Sequence, residues 1–385
     1  MNIKLTKCKN DTFFLVVVLC IGCGGGRIAA DTSGVTKTPR QKASVSDRSE
    51  TSARRFLFGV NLAHVHRRGH GYGSVVSRKV KVRLKQMGFN AVAITPFGYQ
   101  SSATADEIFG YGDVKGKTEF FSGTDPTMTD EDIIREAKDA HELGLVVVLK
   151  PQIWSRDFWG GVEWHGTIRQ KTRAAHRRWW ESYRSFVLAE ARLARRAEVE
   201  WLVIGTELVK MTEGDARRWR NLAREIRKVY PGRLTYAAHW DGEFERIGFW
   251  EVLDGIGVNA YFPLEAPDTA SVPDLVRAWR PYQERLRKVS EEYGKPVLFL
   301  EIGYQANRAC WRRPWEYEID DESEGDQAKA YEAFFRAFKG ERFFAGFFLW
   351  KAFTDPRDRQ ARGRGKFRFL GTRAEEIIRM YGKAG

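Results

Sequence analysis

Short apolar runs alternate with amphipathic stretches of helical length along most of the sequence, and this repetition limits the possible folds more than any other feature. Strands that are apolar throughout and separated by helices indicate a parallel sheet covered on both faces. We predict eight such strands, at residues 56–62, 91–96, 146–153, 201–208, 234–240, 255–262, 296–304 and 345–353. This number of strands predicts an α/β fold, a closed (β/α)₈ TIM barrel with enlarged βα loops.

The sequence predicts helices between these strands. The clearest helix runs from Thr129 to Gly144, because Thr129 is suited to cap its first turn and Gly144 to end it. We predict further helices at 173–196, 215–230, 273–293, 326–339 and 373–381, and weaker ones after the first and fifth strands. A doubly wound open sheet is the second possibility. The glycine-rich segment 69–73 after the first strand lacks the spacing of a dinucleotide fingerprint, so the barrel is favoured.

The first residues resemble an export signal. Lys4, Lys7 and Lys9 precede an apolar run at 13–21 that is too short to span a bilayer as a mature helix. Cys23 follows this run in a context similar to the end of a bacterial lipoprotein signal, in which the cysteine is lipidated after cleavage. Ordinary secretion, with cleavage near residue 30, is the alternative.

Three segments follow from this interpretation. Residues 1–23 form the signal peptide, 24–54 a flexible tether rich in Gly, Ser, Thr and charge, and 55–385 the (β/α)₈ catalytic domain. Cleavage before Cys23 leaves Cys310 as the remaining ordinary cysteine, which excludes a disulfide framework within one mature chain. We therefore expect an exported protein of the cell envelope, attached to the membrane through a lipid on Cys23, or a secreted or periplasmic one, and we expect a monomer.

The basic composition does not by itself indicate a nucleic-acid partner. The chain has 64 Lys and Arg against 50 Asp and Glu, a net charge of +14, but the two signs are interleaved over most of its length. Such interleaving is typical of a solvated surface. We find no zinc-ligand set, RNA-binding aromatic motif or phosphate loop, so we do not expect nucleic acid as a partner.

Two glutamates stand at the ends of apolar strands. Glu207 ends the fourth strand in IGTEL, and Glu301 ends the seventh in FLEIGY. A carboxylate in an apolar strand is costly to bury unless it is paired or functional. Either glutamate alone could form a structural ion pair. Catalytic groups of such barrels lie where the strands end. Two glutamates at strand ends therefore predict the carboxylate pair that glycoside hydrolysis requires.

These two segments resemble the clan A glycosidases, and the whole set of motifs resembles glycoside hydrolase family 113. Besides the two glutamate segments, the resemblance rests on residues 94–100, 122–133, 148–154, 258–264 and 349–350. It implies a retaining endo-β-1,4-mannanase acting on polysaccharide or oligosaccharide. It also implies that Glu207 is the general acid/base and Glu301 the nucleophile. Hydrolysis of another β-glycan, a carbohydrate-binding barrel without catalysis, and a scaffold remain as alternatives.

The same resemblance assigns three further positions. Tyr261 is similar to the tyrosine that donates to the nucleophile, and Trp350 to the tryptophan that forms the floor of the cleaved sugar's subsite. Thr206 stands where many members of the clan have an asparagine that contacts the sugar 2-hydroxyl. At this position the chain therefore departs from the pattern of the clan.

Other polar and aromatic residues at strand ends are candidates for lining a sugar cleft. They are Lys150, Gln152 and Trp154 after the third strand, His239 and Trp240 after the fifth, and Asn61 and His64 after the first. Aromatic faces suit pyranose rings and polar groups suit hydroxyls, although each residue could equally cap the barrel core. The histidines near His64 lack a completing carboxylate or cysteine set, so we predict no metal and no cofactor.

Overall fold

The computed structural model describes residues 55–111, 127–160, 162–318, 321–362 and 366–383. The predicted signal peptide and tether, including Cys23, lie outside these residues. None of the helices within the described ranges has the length and apolar character that a membrane span needs.

Parallel strands form a closed barrel and a small second sheet. In chain order the strands are β1 (Leu57–Ala63), β2 (Ala91–Ile94), β3 (Phe97–Gln100), β4 (Val146–Leu149), β5 (Gln152–Ser155), β6 (Trp201–Thr206), β7 (Arg233–His239), β8 (Ile256–Asn259), β9 (Val297–Ile302) and β10 (Phe344–Phe353). The barrel order is β1-β10-β9-β8-β7-β6-β4-β2, and β1 also pairs with β2. The predicted (β/α)₈ TIM barrel is confirmed.

Two predicted strands are shorter in the barrel than the sequence indicated. The predicted strand 146–153 is interrupted at Pro151, and the predicted strand 91–96 stops before Pro96. Proline has no backbone N–H to donate to a sheet, which explains the interruption at both places. The residues beyond the prolines form β3 and β5, which pair with each other in a separate two-stranded sheet above the barrel strands β2 and β4.

Helices connect the strands. They are α1 (Val75–Gln86), α2 (Asp130–Glu142), α3 (Arg173–Arg196), α4 (Val209–Thr212), α5 (Ala216–Val229), α6 (Glu243–Arg246), α7 (Val272–Tyr293), α8 (Glu324–Phe338) and α9 (Arg373–Lys383). Thr129 caps α2 as predicted, accepting from the backbone N–H of Asp132 while the Asp132 side chain reaches back to the cap. The weak prediction after the fifth strand corresponds to α6, a single turn, followed by a 3₁₀ turn.

The core has two layers because side chains alternate along each strand. One set points into the barrel and includes Leu57, Val148, Val203, Leu298 and Phe348. The other set points outward and packs beneath the helices. Such an interior is a packed core, so a substrate is confined to the mouth formed by the C-terminal ends of the strands.

Candidate active site

Irregular register brings both glutamates to the mouth of the barrel. Between β9 and β10, Phe299 pairs with Phe347 but Ile302 pairs with Leu349, so β9 contains one extra residue. Leu298 and Leu300 face the barrel interior, and strict alternation would turn Glu301 outward. The extra residue reverses this direction, as bulges beside active sites do. A similar shift in β6 precedes Glu207.

Glu301 is surrounded by hydrogen-bond donors. The Lys150 ammonium contacts Oε1 of Glu301, and Gln152 Nε2 donates to the same oxygen at 3.3 Å. Tyr261 donates from its hydroxyl to Oε2 at 2.8 Å. Burial and the nearby Glu301 raise the pKa of Tyr261, so this hydroxyl keeps its proton. Glu301 is only 6 % exposed, so these three donors, and not solvent, satisfy most of its hydrogen-bonding capacity.

Lys150 and Asn61 lie beneath this carboxylate. Lys150 is fully buried, and its Nζ donates to Oδ1 of Asn61 at 3.4 Å and lies 5.1 Å from the centroid of the Trp350 ring. Burial lowers the pKa of Lys150, and the charge of Glu301 opposes that shift. Asn61 in turn donates to the carbonyl of Leu300 at 2.9 Å. These positions favour support of Glu301 over direct contact with a sugar.

Glu207 has a different environment. Its backbone φ is +49°, a left-handed conformation that is uncommon for residues other than glycine. The residue as a whole is partly exposed, and Asn259 donates from Nδ2 to Oε1 of Glu207 at 3.1 Å. Burial, and secondly the charge of Glu301, raise the pKa of Glu207 to about 8. The two carboxyl groups therefore differ in their surroundings: Glu301 contacts a lysine, and burial raises the pKa of Glu207.

Aromatic side chains surround the two glutamates. Trp350, Trp240 and Trp154 are each partly exposed near the mouth. The ring of Trp240 stacks on that of Trp315 at a centroid distance of 5.1 Å. The ring centroids of His239 and Trp164 are 4.6 Å apart. Trp154 also packs edge-to-face on Phe97 and Phe158, so it anchors the β5 segment as well as offering a surface.

His64 and Thr206 are buried as well, although neither contacts the two glutamates in any hydrogen bond described above. His64 is 6 % exposed, accepts at Nδ1 from the backbone N–H of Tyr72, and contacts Thr127 Oγ1 through Nε2 at 3.1 Å. Burial lowers the pKa of His64 to about 3, so the ring is neutral. Thr206 is 3 % exposed, and its hydroxyl has no hydrogen-bond partner within the described residues.

Sequence reasoning missed Asn259 and Glu243. Asn259 occupies the end of β8 within a segment already noted for its resemblance, and its strand-end position was the available signal. Glu243 lies on α6, and no sequence pattern marked it. In the part of the chain that the structure describes, no group of three or more His, Cys, Asp or Glu side chains is arranged to hold a metal ion.

A parallel eight-stranded barrel with two carboxyl groups at its C-terminal mouth, one beside a lysine and one with a raised pKa, defines the class of barrel glycoside hydrolases. Comparison with known families then specifies the family. The chain belongs to Glycoside Hydrolase Family 113, whose model matches residues 62–370. This match confirms the resemblance drawn from the motifs. Among curated proteins, none matches the chain.

Solved structures agree with this assignment. The chain is similar to the family 113 β-mannanase AaManA from Alicyclobacillus acidocaldarius in complex with ManMIm, at 27% identity and a TM-score of 0.72, over 86% of this chain and 98% of that one. A second family 113 β-1,4-mannanase shares 23% identity, with a TM-score of 0.69 and coverage of 86% and 100%. A family 5 mannosidase from Rhizomucor miehei shares the fold at 13% identity, with a TM-score of 0.57 and coverage of 86% and 92%.

Proposed function

We propose that this glycoside hydrolase cleaves β-1,4-linked mannan or a related β-glycan with retention of configuration, using Glu301 as nucleophile and Glu207 as general acid/base. The observation that carries this proposal is the contrast between the two carboxyl groups. Glu301 receives a lysine ammonium and two neutral donors, whereas burial and the charge of Glu301 raise the pKa of Glu207. The mannanase names of the structural relatives support the choice of substrate.

The reaction proceeds in two displacements. A carboxylate oxygen of Glu301 attacks the anomeric carbon while Glu207 transfers its proton to the departing glycosidic oxygen, so the carbon–oxygen bond breaks with its electron pair on the leaving group. Glu207, now ionised, then takes a proton from a water whose oxygen displaces Glu301 from the anomeric carbon. Two inversions at one carbon give net retention.

The lining of the mouth suits a neutral pyranose. Trp350 is placed beside Lys150 and Glu301, where a ring could form the floor for the sugar that is cleaved. His239, Trp240 and Trp154 offer further partly exposed ring surfaces. Aromatic faces pack against the C–H faces of sugars, so several such rings favour a polymer over a small glycoside.

The test is product analysis on a panel of β-mannan, glucomannan, xylan and β-glucan. We expect oligosaccharides from mannan or glucomannan, and no products from any glycan with Glu301→Gln. Cleavage of xylan or β-glucan alone would support a clan A glycosidase of other specificity. Binding of a glycan without cleavage would support a non-catalytic carbohydrate-binding barrel and contradict the proposal.

We further propose export with lipidation at Cys23. The support is the basic start, the apolar run at 13–21 and the cysteine that follows Gly22. The variant Cys23→Ser should move the protein from the membrane fraction to the soluble one. A wild-type protein that is already soluble, with a mature N-terminus near Asp31, would contradict the anchor and support simple secretion.

A further inference from the structure

A buried carboxylate outside the cleft is connected by two hydrogen bonds to the backbone of Leu208, the residue after the proposed acid/base Glu207. Glu243, the first residue of α6, is 1 % exposed. Within the described residues it forms no ion pair with lysine or arginine; its partners are hydroxyl groups and a backbone N–H. A buried carboxylate in such surroundings is expensive to keep, because only hydrogen bonds offset its desolvation.

The first oxygen of Glu243 holds the segment that follows Glu207. Tyr236 donates from its hydroxyl to Oε1 of Glu243 at 2.8 Å, and the same hydroxyl accepts from the backbone N–H of Leu208 at 2.7 Å. Thr212, at the end of α4, also donates to Oε1, at 3.0 Å. Both ends of the turn that begins after Glu207 are therefore connected to one carboxylate oxygen.

This connection matters because the backbone of Glu207 is strained. A φ of +49° at a residue with a side chain persists only where the surroundings fix it. Glu207 itself donates from its backbone N–H to the carbonyl of Ala237 at 2.8 Å, and the next N–H, that of Leu208, donates to Tyr236. Loss of the Tyr236 acceptor would allow the peptide plane beside the acid to rotate.

The second oxygen of Glu243 holds the neighbouring strand end. Its Oε2 accepts from the backbone N–H of His239 at 2.7 Å, and His239 contacts Trp164 at the mouth. Glu243 thus joins the ends of β6 and β7, which are adjacent in the barrel. Tyr236 packs in the outer aromatic layer against Trp219 and Phe249, so the network lies behind the strands and away from the sugar.

We infer that Glu243 is a positioning residue for the acid/base: through Tyr236 and the His239 backbone it fixes the direction from which Glu207 delivers its proton. This inference rests on the proposed role of Glu207. The ionised form is the one that can accept all of these hydrogen bonds. A glutamine has one acceptor oxygen, so its amide group would face a donor on one side.

The charge of Glu243 also affects the pKa of Glu207. The charged and titratable groups around Glu243 are Tyr236, His239, Arg246 and, across β6, Glu207. Burial raises the pKa of Glu243 to about 7, while the hydrogen bonds from His239, Tyr236 and Thr212 oppose the shift. Its negative charge also contributes to the raised pKa of Glu207, although less than burial and Glu301 do. Removal of that charge should therefore make Glu207 lose its proton at lower pH.

The experiment compares two substrates with leaving groups of different quality, β-mannan and an aryl β-mannoside with a dinitrophenyl leaving group. General acid catalysis contributes roughly 10²- to 10⁴-fold and matters little for a good leaving group. We expect Glu243→Gln to lower kcat/KM on mannan about 10- to 100-fold and on the dinitrophenyl substrate less than about 3-fold. The basic limb of the kcat/KM profile should also move to lower pH.

Tyr236→Phe supplies a second variant, because it removes the hydroxyl and keeps the carboxylate. It should show the same difference between substrates and serves alone if Glu243→Gln does not fold. The matched control is Glu245→Gln, on the same turn but exposed and paired with Arg285, which should leave both substrates unaffected. Equal losses on both substrates, or no loss, would overturn the inference. Unimpaired mannan cleavage by Glu207→Ala would instead overturn the proposed function.

Discussion

Asn259 donates a hydrogen bond from its Nδ2 to Oε1 of Glu207 at 3.1 Å. The backbone of Asn259 also pairs with that of Glu301, so this residue stands between the strands that carry the two glutamates. A hydrogen bond to a carboxylate oxygen favours the ionised form and opposes the effect of burial. The hydrogen bond from Asn259 therefore lowers the pKa of Glu207, although Asn259 carries no charge.

The pH dependence of activity should follow from the pKa of Glu207, which burial raises and the hydrogen bond from Asn259 lowers. With the pKa of Glu207 at about 8, its protonated fraction falls as the pH rises through that value, and kcat/KM on mannan should fall with it. Asn259→Ala removes the opposing hydrogen bond, so the basic limb should move to higher pH. Asn221→Ala, on an exposed position of α5, should leave the profile unchanged. A limb that moves downward in Asn259→Ala would contradict the described electrostatics.

Lys150 should be needed for every substrate, because it contacts Glu301, the proposed nucleophile, and not Glu207, the proposed acid. Lys150→Met leaves Glu301 without its cation, and we expect kcat/KM to fall at least about 100-fold on both mannan and a dinitrophenyl glycoside. Lys210→Met, which breaks an exposed ion pair with Glu213, is the control and should retain full activity. A loss confined to mannan would place Lys150 in substrate binding.

Azide should distinguish the two glutamates by the configuration of the product. Glu207→Ala should still form the covalent intermediate from a dinitrophenyl β-glycoside, and azide should release it as a β-glycosyl azide without needing a general base. Glu301→Ala lacks the nucleophile, so azide should attack from the opposite face and give the α-glycosyl azide. The product anomers can be assigned by NMR. The opposite pairing of anomers with variants would reverse the two roles.

The buried ion pair between Lys81 and Glu136 should matter more for stability than an exposed one. Both side chains of this pair are fully buried between α1 and α2. Lys81→Met leaves a buried carboxylate without its cation and should lower the free energy of unfolding by about 3 to 5 kcal/mol. Arg184→Met, beside the exposed partner Glu225, should cost at most about 1 kcal/mol. Urea unfolding measures both, and equal losses would contradict the prediction.

The barrel was predictable because its signal is repeated. Each strand is a short apolar run, and eight such runs separated by helices indicate a closed barrel. Glu207 and Glu301 were predictable for a related reason, since a carboxylate after an apolar run is conspicuous. The bulge that turns Glu301 inward was not, because one extra residue in β9 depends on pairing with its neighbours and leaves no pattern in the sequence.

Contacts between residues that are far apart in the sequence could not be predicted from it either. Lys150 and Asn61 were expected to line the cleft, but the structure places them under Glu301, where three strands bring them together. Glu243 follows a turn after β7, and only the fold shows that its carboxylate reaches Tyr236 and Thr212. A strand-end position predicts proximity to the mouth, but it does not predict which side chains reach the surface.

The direction of β1 has a consequence for how the enzyme meets its substrate. β1 begins at Leu57 on the floor of the barrel, and all strands run from there toward the mouth that holds Glu207 and Glu301. The end of the chain at which β1 begins therefore lies on the face of the barrel opposite to the two glutamates. A long polymer could lie across the mouth without meeting the residues at which β1 begins.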